Sequence, residues 1–250
     1  MIDKAAGIIR GEAGRYLDVD LDSLSFSVHH PNPEDLSNYL GGKGLGLKII
    51  YDRLGSQLGQ VDSLAGDNIL AFLTGAILGS GAPSSARFAG ITKSPLTGLM
   101  LSSSCGGPWG MAARSSGWDG LIIRGRADRP VILYMDHNGA RFEDAGATWG
   151  METSAAQAQL VTEKNQGALV IGPAGENLVP YAVIRSGNRY LGRGGMGAVM
   201  GSKNLKAVVA QGGTYTIEAA WPKLFAQRNR RAKIMMKRNS FASSFRAYGT

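Results

Sequence analysis

Between Ser186 and Lys206 the chain reads SGNRYLGRGGMGAVMGSKNLK, and this stretch sets the tightest limit on the fold. Six of the sixteen residues from Ser186 to Gly201 are glycine: Gly187, Gly192, Gly194, Gly195, Gly197 and Gly201. Arg189, Arg193, Lys203 and Lys206 stand among them, and the segment has no acidic residue. Glycine permits positive φ and close backbone approach to a ligand, at an entropic cost recovered elsewhere. Bare N–H groups beside cations suit a phosphorylated ligand, because both present positive potential to the same oxygens. A simple tight turn has the same composition. Met196, Ala198, Val199 and Met200, interleaved with the glycines, argue for a packed segment over a floppy linker.

With 250 residues the chain makes one large or two small domains, with ample surface to bury. Glycine accounts for 36 residues, about twice the usual share, which favours turns and backbone-lined surfaces over long helices. No apolar run reaches the roughly 18 residues of a membrane span. The N-terminal MIDKAAGIIRGEAG lacks the apolar core of a secretory signal. One cysteine, Cys105, excludes an internal disulfide and a cluster ligated by this chain's cysteines alone. A reducing cytoplasm is the simplest location. The net charge of +8 is uneven: residues 216–250 hold eight Lys/Arg against Glu218, a balance of +7, leaving +1 for the rest. A folded basic face for nucleic acid is therefore not expected.

In chain order, Arg15 to Leu21 alternates apolar and polar, and Leu24, Phe26 and Val28 continue the pattern after Asp22-Ser23, which predicts a hairpin. Pro33-Glu34-Asp35 starts a short helix, and a helical pattern follows the Gly41 to Gly46 cluster. That cluster has neither the nucleotide-loop nor the dinucleotide spacing, so a structural turn is its simpler reading. Leu70 to Leu73, Phe88 to Thr92, Leu121 to Ile123 and Ala168 to Ile171 read as strands, and Thr153 to Glu163 as a helix. Val131 to Met135 and Ala140 to Phe142 form a hairpin around His137-Asn138-Gly139.

An internal echo runs through the chain. Gly106 and Gly194, and likewise Gly107 and Gly195, lie 88 positions apart, and each glycine pair precedes a helix-length gap and an apolar strand. Repeated units predict a pseudo-symmetric arrangement in which the two glycine turns serve a ligand with two similar halves.

Several motifs in order carry a family resemblance: Gly41-Gly42-Lys43-Gly44-Leu45-Gly46, Ile69 to Gly75, Gly79 to Arg87, Thr92 to Gly98, Ile171 to Leu178 and Gly192 to Ala207. Over roughly residues 14 to 213 the chain resembles the N-terminal domain of the tungsten-containing aldehyde:ferredoxin oxidoreductases. The resemblance implies an α+β fold of two β-sheets related by a pseudo-two-fold axis, with short helices, forming the base for a tungsten (or molybdenum) bis-pyranopterin cofactor. It implies interconversion of aldehydes and carboxylic acids, with electrons passing through a [4Fe–4S] cluster to ferredoxin or an iron–sulfur subunit. It divides the chain into a cofactor-binding domain, 1–215, and a basic amphipathic tail, 216–250, which starts a helical second domain.

Carried over by residue, Arg87 and Arg189 match arginines that contact the pterin. Gly106 and Gly107 match backbone contacts, and Gly192, Arg193, Gly194 and Gly195 complete the second glycine turn. Ser104 stands where the family often has Asn beside a Mg2+ bridging the pterin phosphates. Tyr190 stands where Ala is frequent, and its main-chain carbonyl remains a candidate ligand. No metal-ligating side chain and no catalytic acid or base is assigned, since the family's cluster cysteines and acid–base residues come from later domains. Cys105 reads as a small buried residue, and His29, His30 and His137 lack metal spacing.

In the tail, Trp221, Leu224, Phe225, Ala232 and Met235 recur at helical spacing with basic residues between. It is expected to begin a further domain; partner binding and an anionic membrane surface are the other readings. Its apolar stripe has no internal cover, so poor order in isolation is expected. Two functions stay open: an oxidoreductase portion completed by other domains or a second chain, and a non-catalytic pterin-binding or cofactor-assembly module.

Overall fold

A computed structural model describes residues 2–3, 8–9 and 13–248. Most of the N-terminal segment discussed above, and the terminal Gly249-Thr250, lie outside the described residues. The chain opens with a two-residue pair, β1 (Ile2–Asp3) and β2 (Ile8–Ile9). The first half of the body contains the hairpin β3 (Tyr16–Asp20) and β4 (Ser25–His29), helices α1 (Pro33–Tyr39) and α2 (Gly42–Leu54), strands β5 (Leu70–Thr74), β6 (Phe88–Lys93) and β7 (Met100–Cys105), then α3 (Pro108–Ser115) and β8 (Gly120–Arg124). The second half contains the hairpin β9 (Val131–Asp136) and β10 (Gly139–Asp144), α4 (Thr153–Leu160), β11 (Gln166–Val170), α5 (Pro173–Glu176), β12 (Ile184–Ser186), β13 (Arg189–Leu191), α6 (Met196–Ser202) and β14 (Leu205–Gln211). Two further helices, α7 (Pro222–Arg238) and α8 (Ser240–Tyr248), follow.

The two halves repeat one plan. The first sheet has the order β4-β3-β8-β5-β6-β7 and the second β10-β9-β14-β11-β12-β13. In each, the hairpin pairs in parallel with the strand that closes its half, β3 with β8 and β9 with β14. Every other pairing in the two sheets is antiparallel. In both halves a glycine pair and one short helix precede that closing strand. The echo in the sequence is thus a duplicated fold, and the expected two-sheet α+β class is observed.

Strand alternation distributes the apolar residues between layers. Leu17, Val19, Leu70, Phe72, Leu121 and Ile123 of the first sheet face Leu133, Met135, Leu169 and Val208 of the second, with Trp109 of α3 and Met196 and Val199 of α6 in the same core. Tyr16, Ala71, Leu73, Ile91 and Ile122 point the opposite way, against Leu45, Ile49 and Ile50 of α2. Val170, Ala207 and Val209 do the same against Ala156 and Leu160 of α4. The Gly41 to Gly46 cluster serves packing: a Cβ on Gly46 would lie 2.6 Å from Ile91 Cδ1, so α2 rests directly on β6. Lys43 is exposed at that helix start.

Each inner helix is seated on the opposite half. A Cβ on Gly167 of β11 would lie 2.5 Å from the carbonyl carbon of Pro108 in α3. A Cβ on Gly90 of β6 would lie 2.5 Å from Met196 Sδ in α6. Trp109 fills the core between them, with Phe72 and Phe88 at ring-centroid distances of 5.7 and 5.0 Å. Burial of that indole is worth about 3–5 kcal/mol against alanine. Arg114 and Asp119, both buried, form an ion pair beneath it, and Asp119 Oδ2 also accepts from Gly14 N at 2.6 Å.

Helix α7 has no buried residue, and Trp221, Leu224 and Met235 are exposed along it. This is the uncovered stripe that the sequence shows. No helix among the described residues is long and apolar enough to cross a membrane.

Candidate cofactor site

Strands β7 and β13, each at one edge of its sheet, meet along a seam where the two halves come together. Most of the residues singled out in the sequence collect here. Arg87, just before β6, reaches across to β7 and donates from Nη2 to the Ser104 carbonyl at 2.9 Å. Arg189 opens β13 from the other half, and its Cγ lies 3.8 Å from where Gly106 would carry a Cβ. Both guanidiniums act electrostatically on Cys105, the residue between Ser104 and Gly106. Arg87, Ser104, Gly106 and Arg189 therefore form one cluster built from both halves.

Cys105 is buried and donates from Sγ to the Gly106 carbonyl at 2.8 Å. Burial pushes its thiol up to about 11, outweighing the pull of Arg87 and Arg189 in the opposite direction. Burial thus favours the protonated thiol at neutral pH.

Tyr190 is exposed and pairs with Arg185 in the β12–β13 hairpin, where the guanidinium lies 6.0 Å from its ring. Gly192 and Arg193 follow β13 on the exposed surface, and the space around a Cβ on Gly192 is open. Gly107 caps α3 with φ +115°, and a Cβ there would lie 2.8 Å from Ser186 Oγ. Gly195 caps α6 with φ +77°, pressed on Pro95 and the Pro180 carbonyl. Gly194 is packed on Leu101 and its carbonyl accepts from Ser94 Oγ at 2.8 Å. The two turns are thus each fastened to the other half. The open backbone lies at Gly106 and Gly192, just ahead of the packed glycines.

Arg87, Arg189 and Arg193 are exposed, and none has a carboxylate partner among the described residues. Three uncompensated guanidiniums beside bare backbone fit an anionic, phosphate-bearing group. A cavity of about 540 Å³ elsewhere makes the contrast: its Asp18 and Asp20 are neutralised by Arg53 and Arg124 at 2.6 and 2.7 Å.

Lys203 and Lys206 depart from the expectation that they flank a ligand. Both are fully buried. Lys203 Nζ donates to the Gly66 and Gly125 carbonyls at 2.9 and 3.1 Å, tying the end of α6 to the first half. Lys206 Nζ donates to the Met151 carbonyl at 2.9 Å and pairs with Glu176. Their ammonium groups are consumed by these partners, so they are internal cross-links. His30 Nδ1 contacts the Gly14 carbonyl at 2.8 Å and His29 stacks edge-on with Tyr16. Among the described residues no group of three His, Cys, Asp or Glu could hold a metal ion.

The family model for the N-terminal domain of aldehyde ferredoxin oxidoreductase matches residues 16–212, from the first residue of β3 to just past β14. The chain belongs to this family. A tungsten-containing aldehyde ferredoxin oxidoreductase of Pyrococcus abyssi is 42% identical over 206 residues, covering 81% of this chain and 33% of the relative. An aliphatic sulfonate oxidoreductase, WOR-like subunit, of Pyrococcus furiosus is 35% identical over 217 residues, covering 80% and 34%. Among solved structures, the active-site complex BamBC of benzoyl coenzyme A reductase with 1,5-dienoyl-CoA matches with a TM-score of 0.86 and 33% identity, over 92% of this chain and 35% of that one. The chain spans about a third of the length of the curated relatives it matches. Within the aldehyde ferredoxin oxidoreductase domain, the duplicated sheets account for the whole matched region, and α7 and α8 follow it.

Proposed function

We propose that this chain is the cofactor-binding part of a tungsten (or molybdenum) bis-pyranopterin oxidoreductase that interconverts aldehydes and carboxylic acids, with ferredoxin-type electron transfer. The observation that carries the reading is the seam itself, where uncompensated Arg87 and Arg189 from opposite halves flank the bare backbone of Gly106. Such a group, when bound, supplies two-electron redox chemistry at its metal. Arg87 and Arg189 bind its phosphates, Arg193 adds charge beside Gly192, and the two glycines let the ligand approach the main chain. Gly107, Gly194 and Gly195 hold those contacts in place from behind. Ser104 and the Tyr190 carbonyl would be the groups available to a Mg2+ ion accompanying those phosphates.

The [4Fe–4S] cluster belongs to further domains or a partner chain, since a single cysteine does not make its ligand set. Ferredoxin or an iron–sulfur subunit accepts the electrons, and the location is cytoplasmic. Relatives named for aldehydes and for aliphatic sulfonates share this domain, which supports placing substrate contacts outside it. The test is isolation of the native complex, with metal analysis, mass spectrometry of its chains and aldehyde-dependent dye reduction. Tungsten or molybdenum with a cysteine-rich chain and aldehyde-dependent reduction supports the reading. A metal-free complex overturns it, and bound pterin without such reduction transfers the role to cofactor assembly.

A further inference from the structure

Strands β6 and β12 occupy the same place in the two halves, and a basic residue followed by a serine stands at the end of each: Lys93-Ser94, with the serine just past β6, and Arg185-Ser186, which closes β12. Both serines are buried, 1% and 0% exposed. Ser94 Oγ donates to the Gly194 carbonyl, 100 residues away, and accepts from Leu96 N and Thr97 N at 3.2 Å each. Ser186 Oγ accepts from Trp109 N at 3.4 Å, 77 residues away, at the first turn of a helix whose Gly107 cap has no side chain. Each hydroxyl therefore leaves its own half and fastens the glycine turn of the other.

The basic neighbours secure the opposite end of each tie. Lys93 Nζ donates to the carbonyls of Leu58, Gly59 and Val61 at 2.9, 3.1 and 2.8 Å, all in the first half. Arg185 Nε donates to the Gly187 carbonyl at 2.7 Å in the second. The basic residue anchors the strand end at home, and the serine reaches across. Gly194 is the next residue after Arg193, and Trp109 lies three residues after Gly106. The hydroxyls thus set where the ligand-facing backbone stands.

We propose that Ser94 and Ser186 are a reciprocal pair of positioning residues that hold the two glycine turns in register across the seam for one two-winged ligand. The proposal rests on the cofactor reading above. Alanine keeps a small side chain in each buried site; Ser186→Ala removes the contact with Trp109 N, and Ser94→Ala removes the contacts with Leu96 N and Thr97 N along with the tie to Gly194. Their loss leaves the halves packed through Trp109 and the shared core, while the turns drift apart at the ligand.

The test uses the natively assembled complex with Ser94→Ala, Ser186→Ala, the double variant and the near-isosteric Ser94→Cys. Tungsten and pterin release during dialysis is followed alongside the thermal unfolding midpoint of the complex stripped of cofactor. The expected result is release from each alanine variant faster by roughly two- to tenfold, the worth of one hydrogen bond. The double variant is fastest, Ser94→Cys falls between, and the stripped midpoint of Ser186→Ala, which loses only the long contact to Trp109 N, agrees with wild type within about 2 °C. Wild-type release rates in both alanine variants overturn the proposal, as does faster release that only tracks a lowered stripped midpoint. If the wild-type complex carries no pterin, the cofactor reading fails first and this proposal with it. If Ser94→Ala does not assemble, Ser94→Cys and Ser186→Ala decide between the same outcomes.

Discussion

Gly107 and Gly192 lie in the two turns yet differ in what a methyl group would cost. At Gly107, φ is +115° and a Cβ falls 2.8 Å from Ser186 Oγ; at Gly192 the space is open and φ is unexceptional. Gly107→Ala should cost about 1–3 kcal/mol of stability, the price of a strained backbone. Gly192→Ala should stay within about 0.5 kcal/mol in urea unfolding, while weakening cofactor retention by filling the approach to the main chain. Arg189→Ala should likewise leave unfolding unchanged, having no carboxylate to abandon, and Arg87→Ala should cost no more than about 1 kcal/mol for its hydrogen bond to the Ser104 carbonyl. Each should weaken retention of the phosphate-bearing ligand roughly ten- to hundredfold, the range of a charge-assisted contact, measured by metal release.

Lys203 gives a pH signature. Burial lowers its pKa from 10.5 to about 8, with Asp22 and Asp67 opposing the shift. The folded state therefore holds the charged form at a cost below pH 8. Between pH 8 and 10.5 it sheds a proton that the unfolded chain keeps, so stability rises through that window. Relative to Lys203→Met, the wild type should gain unfolding free energy from pH 8 upward; parallel curves would contradict the assignment.

Among the elements, those with dense apolar runs were legible in the sequence. Leu70 to Leu73, Leu121 to Ile123 and the hairpin around Asn138-Gly139 lie where their patterns predict. The glycine pairs 88 positions apart announced the duplication. Two kinds of element escaped. Strands β12 and β13 have three residues each and carry Ser186, Arg189 and Tyr190, so no alternation registers in so short a span. Strand β7 runs on through Ser102 to Ser104, residues with little β preference, because pairing with β6 holds them. Lys203 and Lys206 read as ligand-facing cations because their carbonyl partners, Gly66, Gly125 and Met151, are far away in sequence. Helices α7 and α8 were legible only as a stripe and a charge run. Since no α7 residue is buried, removing residues 221–250 should shift the melting temperature of the remaining body by less than about 2 °C. A larger drop would mean that α7 contributes to the core.

For the molecule as a whole, duplication explains why one chain has two similar sheet edges. Repeating the hairpin, three strands, helix and closing strand brings β7 and β13 together, and the arginines of both halves meet at the seam. Each inner helix sits on the opposite sheet, so neither half buries its apolar face alone. In the proposed function this seam grips both wings of one bis-pyranopterin. The decisive measurement is the ratio of pterin and tungsten (or molybdenum) to this chain in the natively isolated complex. Two pterins and one metal for each copy of the chain are expected; a single pterin per chain, or none, would rule out a two-winged ligand at the seam.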